Sequence, residues 1–450
     1  MDRRDFFRRS KAASLGVAAG LTILPKAASV WGAPANERLS LAIVGLRNRG
    51  LALATAFAQR ADCRIAYLCD VDRSLEASRI DSVAKMQGGA APKFAADFRK
   101  ALDDASVDAV VIATPDHWHC LATIWACEAK KDVFVAAPLS HDPWEGRRAV
   151  AAARKQERIV ATDLACRSSS YGQRAKRYID SGKLGKIHFC RVHEQTGQSN
   201  AATLPDSAVP EGLDWNAWNG PAPETPYNAN CQNNWHGYWR YSGGNTAVEG
   251  IHQLDLARWL CGLDYPKSVS TQGARFDAPG ANETPDTMVS VFEFENLLMT
   301  FELTLNTPYM TRISQAVRNG DVFPHWPQCG SRVEIYGSEG VMVVAPHGAG
   351  WQVFGRPRHE QPTLVERSWG KPVDPEHQQN FVDCVRNRKQ SNADVEEAHR
   401  SALLVHYANM SYRTGGQKLQ VDAKTEAVDS PEAMRFFRRS YRKPWVIDGE

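Results

Sequence analysis

The sequence predicts an α/β protein: an N-terminal doubly wound parallel sheet of Rossmann type, then an α+β domain built on an open, largely antiparallel sheet. Three observations carry this. The apolar run Leu39–Val44 ends at Gly45, a second glycine, Gly50, opens a helical stretch to Gln59, and Asp70 closes the next apolar run. From Leu39 to Thr162, short apolar runs alternate with helical patterns, the signature of parallel strands covered on both faces. After Arg167 the runs become strand-like segments joined by hairpin turns.

The elements follow in order. Strand 39–44 leads to helix 50–59, and strand 64–69 to helix 73–86. A short helical stretch, 98–103, precedes the apolar strand 108–114. The strand ends in Thr114-Pro115-Asp116-His117-Trp118-His119, and a helix runs on to Ala129. Strand 132–135 ends in Ala136-Ala137-Pro138, helix 143–156 follows, and strand 159–162 closes the unit. Ligands of such sheets sit at the carboxyl ends of the strands, here Gly45, Asp70, Thr114-Pro115, Ala136-Ala137 and Asp163. Beyond helix 171–181 come strands 187–193, 287–293, 297–305, 333–336 and 341–344. Glu295-Asn296 and Gly337–Gly340 are their turns. A polar, Trp-rich insertion spans 200–241, a helix covers 248–261, and helices 377–388 and 395–413 lie near the end.

The first 35 residues stand apart. Arg3-Arg4 with Phe6-Phe7, a weakly apolar stretch 12–24 and Ala33-Pro34-Ala35 form a twin-arginine export signal with Asn36 as first mature residue. The expected partner is the twin-arginine export machinery. The expected location is the periplasm or outside the cell, or the membrane surface if the signal stays uncleaved. Organisation follows as signal 1–35, Rossmann domain 38–165, substrate and oligomerisation domain 166–425, and extension 426–450. The signal carries six Lys/Arg and two Asp, so residues 36–450 hold 48 basic and 49 acidic residues. That balance gives no case for nucleic acid or an anionic membrane as partner. The ten cysteines include no Cys-x-x-Cys pair, and most sit in apolar or helical stretches. Buried free thiols suit a protein exported already folded.

The glycine spacing is that of a dinucleotide-binding turn. Gly45 permits the tight turn, and the helix N-terminus at Arg47, Asn48, Arg49 and Gly50 offers N–H groups to a pyrophosphate. Asp70 is placed to accept from a ribose, which favours NAD over NADP. Arg47 stands where the middle glycine is usual.

Taken together, Gly45…Gly50 with Asp70, Thr114–His119, Leu139-Ser140-His141 before Trp144-Glu145-Gly146, Gly250–Trp259 and Asn392–Val395 with His399-Arg400-Ser401 resemble the Gfo/Idh/MocA oxidoreductase family in its exported bacterial branch. The resemblance covers nearly all of residues 38–425. It implies a Rossmann domain, a mixed C-terminal sheet, tightly held NAD (or NADP), sugar or polyol substrates and a homo-oligomer. The chain departs from the family at Ala136-Ala137-Pro138, where members usually read Glu-Lys-Pro. The lysine assists proton departure from a secondary alcohol, and alanine cannot. The family's NAD-dependent glycosidase branch also lacks this lysine, and there the cofactor stays resident and is recycled.

The resemblance assigns the site residues. His252 and Asp255 share a helix face, His252 as acid/base group and Asp255 orienting it or contacting hydroxyls. Thr114, Pro115, His117 and Ala137 line the nicotinamide, and His119 caps the following helix. Arg167, Trp235, His236 and Trp239 are substrate candidates, aromatic faces suiting sugar rings. His117 and His119 with Glu249 or Asp255 could be read as metal ligands, but nothing in the sequence brings these segments to one ion, so no metal is expected. Two other functions fit the same residues: a non-redox lyase or epimerase acting on a keto-sugar, and a non-catalytic sugar-binding protein.

Overall fold

A computed structural model describes residues 38–197, 203–276 and 280–447; the expected export signal, 1–35, lies outside them. The N-terminal sheet contains β1 (Leu39–Val44), β2 (Cys63–Cys69), β3 (Lys93–Ala95), β4 (Ala109–Ile112), β5 (Asp132–Val135) and β6 (Val160–Thr162). All pair in parallel, in the order β3-β2-β1-β4-β5-β6. This is the doubly wound arrangement, with β1 and β4 at the switch point. Every side chain of β1, β4 and β5 is buried, as continuous apolar runs between two helical layers require.

The second sheet contains β7 (Ile187–Gln195), β8 (Ser268–Ala274), β9 (Thr287–Glu293), β10 (Leu298–Thr304), β11 (Ser331–Gly337), β12 (Val341–Val344), β13 (Trp351–Arg358), β14 (Gln361–Ser368) and β15 (Leu419–Gln420). Its order is β14-β13-β12-β11-β7-β10-β9-β8-β15, antiparallel throughout except for the parallel pair β7–β10. The central strands present one apolar and one charged face. Val192, Phe301 and Val333 stand in register and are fully buried, while the neighbouring Arg191, Glu302 and Glu334 lie on the other face as ion pairs. The apolar face packs on the helix Gly250–Cys261. A Cβ at Gly250 would meet the Phe301 ring at 2.6 Å, so this approach requires glycine.

Two expectations change. The helix expected over 248–261 is broken at Glu249, whose φ of −111° separates a short turn, Asn245–Val248, from Gly250–Cys261. Strands β3, β8, β13, β14 and β15 lie where no strand was expected. β14 is an outer edge whose residues are largely exposed and carry Glu366 and Arg367, so it lacks an apolar alternation. All ten cysteines are free, nine of them buried.

The extension 426–450 is part of the fold as far as Ile447. The Arg439 guanidinium bonds Glu145 and the His117 carbonyl, and the Tyr441 hydroxyl donates to the same Glu145. Arg442 donates to the Gly220, Ala222 and Asn216 carbonyls, so the tail ties the Trp-rich insertion to the Rossmann domain. The Glu145 side chain is fully buried. Replacing Arg439 with alanine strands that carboxylate, and the expected cost is about 3–5 kcal/mol, read as a lowered urea midpoint of the Arg439→Ala variant.

Candidate functional site

The turn after β1 has the form a dinucleotide needs. Gly45 has φ +85°, and a Cβ there would lie 2.6 Å from the Ala113 carbonyl oxygen. A Cβ at Gly50 would lie 1.9 Å from the Gly45 carbonyl oxygen. Both positions are closed to any side chain. Arg47, at the middle position, has φ −87°, which any residue adopts, and its half-exposed side chain turns aside to pair with Asp72 at 2.6 Å. The missing middle glycine therefore leaves the turn intact. No side chain caps the helix Asn48–Ala58, so its first N–H groups remain available to an anion. Asp70 accepts from the backbone N–H groups of Leu46 and Asp72, which fixes the carboxylate at the end of β2; burial raises its pKa.

The other strand ends close the pocket floor. His119 is fully buried. Its Nδ1 lies 2.6 Å from the Pro138 carbonyl oxygen and its Nε2 2.7 Å from the Thr114 carbonyl oxygen. It ties the β4 and β5 loops together and does not cap the helix. The Thr114 hydroxyl is buried with no partner, and Ala137, after the next strand, is half-buried. Pro115 precedes the helix Asp116–Glu128 at its N-cap. The turn, the uncapped helix end, Asp70 and the unpartnered Thr114 hydroxyl fit NAD.

Arg49 reaches across the mouth of the sheet. It bonds Asp163, just past β6, at 2.6 Å and Asp374, at the start of the helix Asp374–Asn387, at 2.8 Å. Its side chain thus serves the junction, leaving its backbone N–H for a phosphate. His252 stands within electrostatic reach of both Arg49 and Asp163. Burial, then the His347 ring at a centroid distance of 5.0 Å, lower its pKa to about 4, so it is neutral and able to accept a proton at pH 7. His347 Nε2 lies 3.6 Å from the Glu249 carboxylate. Burial raises Glu249, but His347, His252 and Arg312 overcome this and hold it at about 2. His236, on the turn Trp235–Gly237, is lowered by burial and feels Glu249. Glu194, near the end of β7, is 2% exposed, accepts from Ser331 at 2.8 Å and from Gln253, and is pushed to about 8 by burial and by Glu249.

Several expected residues lie elsewhere. Asp255 does not orient His252. Its carboxylate accepts both Nε and Nη2 of Arg167 and the Ser401 hydroxyl, with the Asp255 and Arg167 side chains 2% and 3% exposed. Arg167 is consequently a structural cation, shared with Glu397, and unable to hold substrate. His117 is enclosed by the insertion. Its ring is buried against Trp218 and Tyr241, with Nε2 3.0 Å from the Trp218 carbonyl oxygen, and burial lowers it to about 3. Trp239 faces Tyr412 and Arg413 on the last long helix. Trp235 packs against the insertion's own core, edge-on to His236.

Sequence reasoning passed over His347 and Glu194, and named Glu249 only as a metal ligand. The one signal for His347 was its place in a Pro-His-Gly turn directly after a buried strand. Among the described residues, no group of three or more His, Cys, Asp or Glu side chains is arranged to hold a metal, and no helix is long and apolar enough to cross a membrane.

Three family models match the chain. Residues 36–164 match the oxidoreductase family, NAD-binding Rossmann fold; residues 173–343 the GFO/IDH/MocA C-terminal domain; and residues 338–447 the oxidoreductase family, C-terminal alpha/beta domain. The scyllo-inositol 2-dehydrogenase (NAD(+)) of Bacillus subtilis is 25% identical over 370 residues, 77% of this chain and 86% of that protein. A glycosyl hydrolase family 109 protein of Stenotrophomonas maltophilia is 32% identical over 154 residues, 32% of each chain. Several other curated relatives are matched over only 50–63% of their own length. A levoglucosan dehydrogenase solved with NADH and levoglucosan has the same fold, with a TM-score of 0.64 and 17% identity, covering 85% of this chain and 99% of that one.

Removing the Asp255 carboxylate should leave Arg167 buried and unpaired, so Asp255→Ala is expected to cost about 3–5 kcal/mol of stability. His252→Ala should stay within about 1–2 kcal/mol of the parent by the same urea titration, because its ring is only half-buried. The raised Glu194 gives a second test. The folded state binds its proton between about pH 4.5 and 8 while the unfolded state does not, so stability falls as pH rises through that window. Asp116 and Asp142, both raised to about 8 by burial, act in the same direction. The buried histidines His117, His252 and His406, lowered by burial, act oppositely below about pH 6.5 and are untouched by the substitution, so Glu194→Gln should make the change in denaturation midpoint from pH 5 to pH 8 less negative than in the parent.

Proposed function

The chain belongs to the Gfo/Idh/MocA oxidoreductase family, and from that premise we propose that it is an exported enzyme acting on sugars or glycosides with a resident NAD. The observation that carries this reading is the convergence of His252, His347 and Glu249 from the second domain on Arg49 and Asp163 at the carboxyl ends of the Rossmann strands. Gly45, Asn48, Gly50, Asp70 and Thr114 would hold the cofactor. When bound there, NAD supplies reversible two-electron oxidation of a carbinol carbon.

His252 accepts the proton of the substrate hydroxyl. Neutral at pH 7, it becomes an imidazolium with Glu249 and Asp163 in reach, and these carboxylates favour the charged form. Ala137 offers no donor at the position of the usual lysine, so this proton transfer falls to His252 alone. Of the expected substrate contacts, His236 is the one within electrostatic reach of Glu249. We propose a net redox-neutral reaction on a glycoside, in which no external NAD is consumed. The absence of a lysine at 137 supports this, as does the likeness to a glycosyl hydrolase family 109 protein. Export through the twin-arginine route, with the signal either cleaved after Ala35 or kept as an anchor, fits a cofactor loaded before translocation. The charged outer face of the second sheet is the surface offered to a second copy of the chain.

The test is the cofactor content of the full-length protein purified without added nucleotide. Near-stoichiometric NAD released on denaturation is expected, and a Gly45→Ala variant should release little or none. A parent protein that is empty and does not bind added NAD would overturn the redox reading. The non-redox lyase or epimerase, and the sugar-binding protein, would then be tested with a keto-sugar.

A further inference from the structure

The sequence reading left His252 partnered by Asp255, and the structure removes that partner. Asp255 is fully engaged by Arg167 and Ser401. What faces His252 comes from four other elements. His347 comes from the loop after β12, with the rings 5.0 Å apart and nearly perpendicular at 68°. Glu249 comes from the break before the helix, Asp163 from the end of β6, and Arg49 from the first Rossmann helix. His347 in turn faces Glu249 at 3.6 Å and feels Asp374. Its Nε2 is buried with no hydrogen-bond partner. Asp163 and Asp374 are already bound to Arg49. Glu249 and His347 are the members of this group not tied to Arg49.

We propose that His347 and Glu249 are a positioning pair for His252: the His347 ring sets the orientation of the His252 ring and opposes its protonation, and Glu249 counters His347 and favours it. This rests on His252 being the acid/base group. Neither residue exchanges a bond with substrate. The hydroxyl proton passes to His252, and the pair fixes how tightly His252 holds it.

Glu249 sits at the junction of the short turn Asn245–Val248 and the helix Gly250–Cys261, where its carboxylate meets His347 at 3.6 Å while Gln253, one turn on, bonds Glu194. The pair therefore joins three segments around one imidazole. It also supplies the polar support that Asp255 was expected to give.

The test reads the His252 imidazole directly, by NMR of the full-length protein carrying ¹³C-labelled histidine, from pH 4 to pH 8, with His252→Gln identifying the signal. His347→Gln removes a like charge, and the His252 midpoint should rise by roughly one pH unit. Glu249→Gln removes an opposite charge, and the midpoint should fall, leaving His252 neutral across the whole range. A purely structural loosening would move both variants upward, toward the ordinary histidine value. Two variants moving together, or His347→Gln leaving the midpoint in place, would overturn the proposal. The acid limb of kcat/KM against pH should move with the titration in each variant. The titration needs neither substrate nor added cofactor, so failure of the redox reading shows as a protein without NAD and leaves this result legible.

Discussion

The buried ion pair between Arg167 and Asp255 is the contact on which the site geometry depends. Arg167 follows the last Rossmann strand by five residues, and Asp255 lies one turn beyond His252. The pair fastens the domain junction to the helix Gly250–Cys261. Arg258, on the same helix, bonds Ser401 at 2.8 Å and also Glu397, on the helix Val395–Arg413. Ser401 donates to Asp255 as well, closing the network. Two guanidinium groups at 3% exposure are tolerable only because their carboxylates and carbonyls surround them. The energetic gain of such a network is small. Its geometric effect is large, because neither helix can slide without stranding a charge. His252 is consequently delivered to the carboxyl ends of the Rossmann strands at a fixed height.

The C-terminal residues extend this bracing. The helix Asp374–Asn387 returns to the Rossmann domain, where Phe381, Val382 and Val385 join the core beneath β1 and β4. Its first residue, Asp374, shares Arg49 with Asp163. The tail then meets Glu145 through Arg439 and Tyr441 and goes on to the Trp-rich insertion through Arg442. Trp215 and Trp218 stack at 4.5 Å inside that insertion, and the Trp218 carbonyl accepts from Trp118. The insertion therefore has a core of its own, roofed onto the Rossmann helix Asp116–Glu128. This explains why His117 is a packing residue: the surface it would have shown to a cofactor is covered by the insertion.

The Rossmann domain was legible in the sequence because its strands are buried on both faces and read as continuous apolar runs. Its turn glycines were legible because Gly45 and Gly50 sit where no Cβ fits. The outer strands of the second sheet were not, since β13 and β14 carry polar residues on exposed positions and leave no clean alternation. His252 could be singled out from its helix, but the neighbours that surround it, Arg49, Asp163 and His347, are distant in the chain. The meaning of Asp255 was hidden, because its partners Arg167 and Ser401 are 88 and 146 residues away. His347 was hidden for the same reason.

Ala137, where the family resemblance implies a lysine, raises the question of whether this is a working site or a decayed one. A decayed site that lost an ammonium would keep the carboxylates that once balanced it, now without cations. The carboxylates here are all accounted for. Asp163 and Asp374 share Arg49, and Glu249 faces His347. Glu194, the most buried of them, is held by Ser331 and Gln253 with its proton favoured. The strand-end loops that would have flanked the lysine are also intact, tied together by His119. Charge balance without residue 137, together with a neutral imidazole at the centre, is the electrostatic pattern of a site organised around histidine.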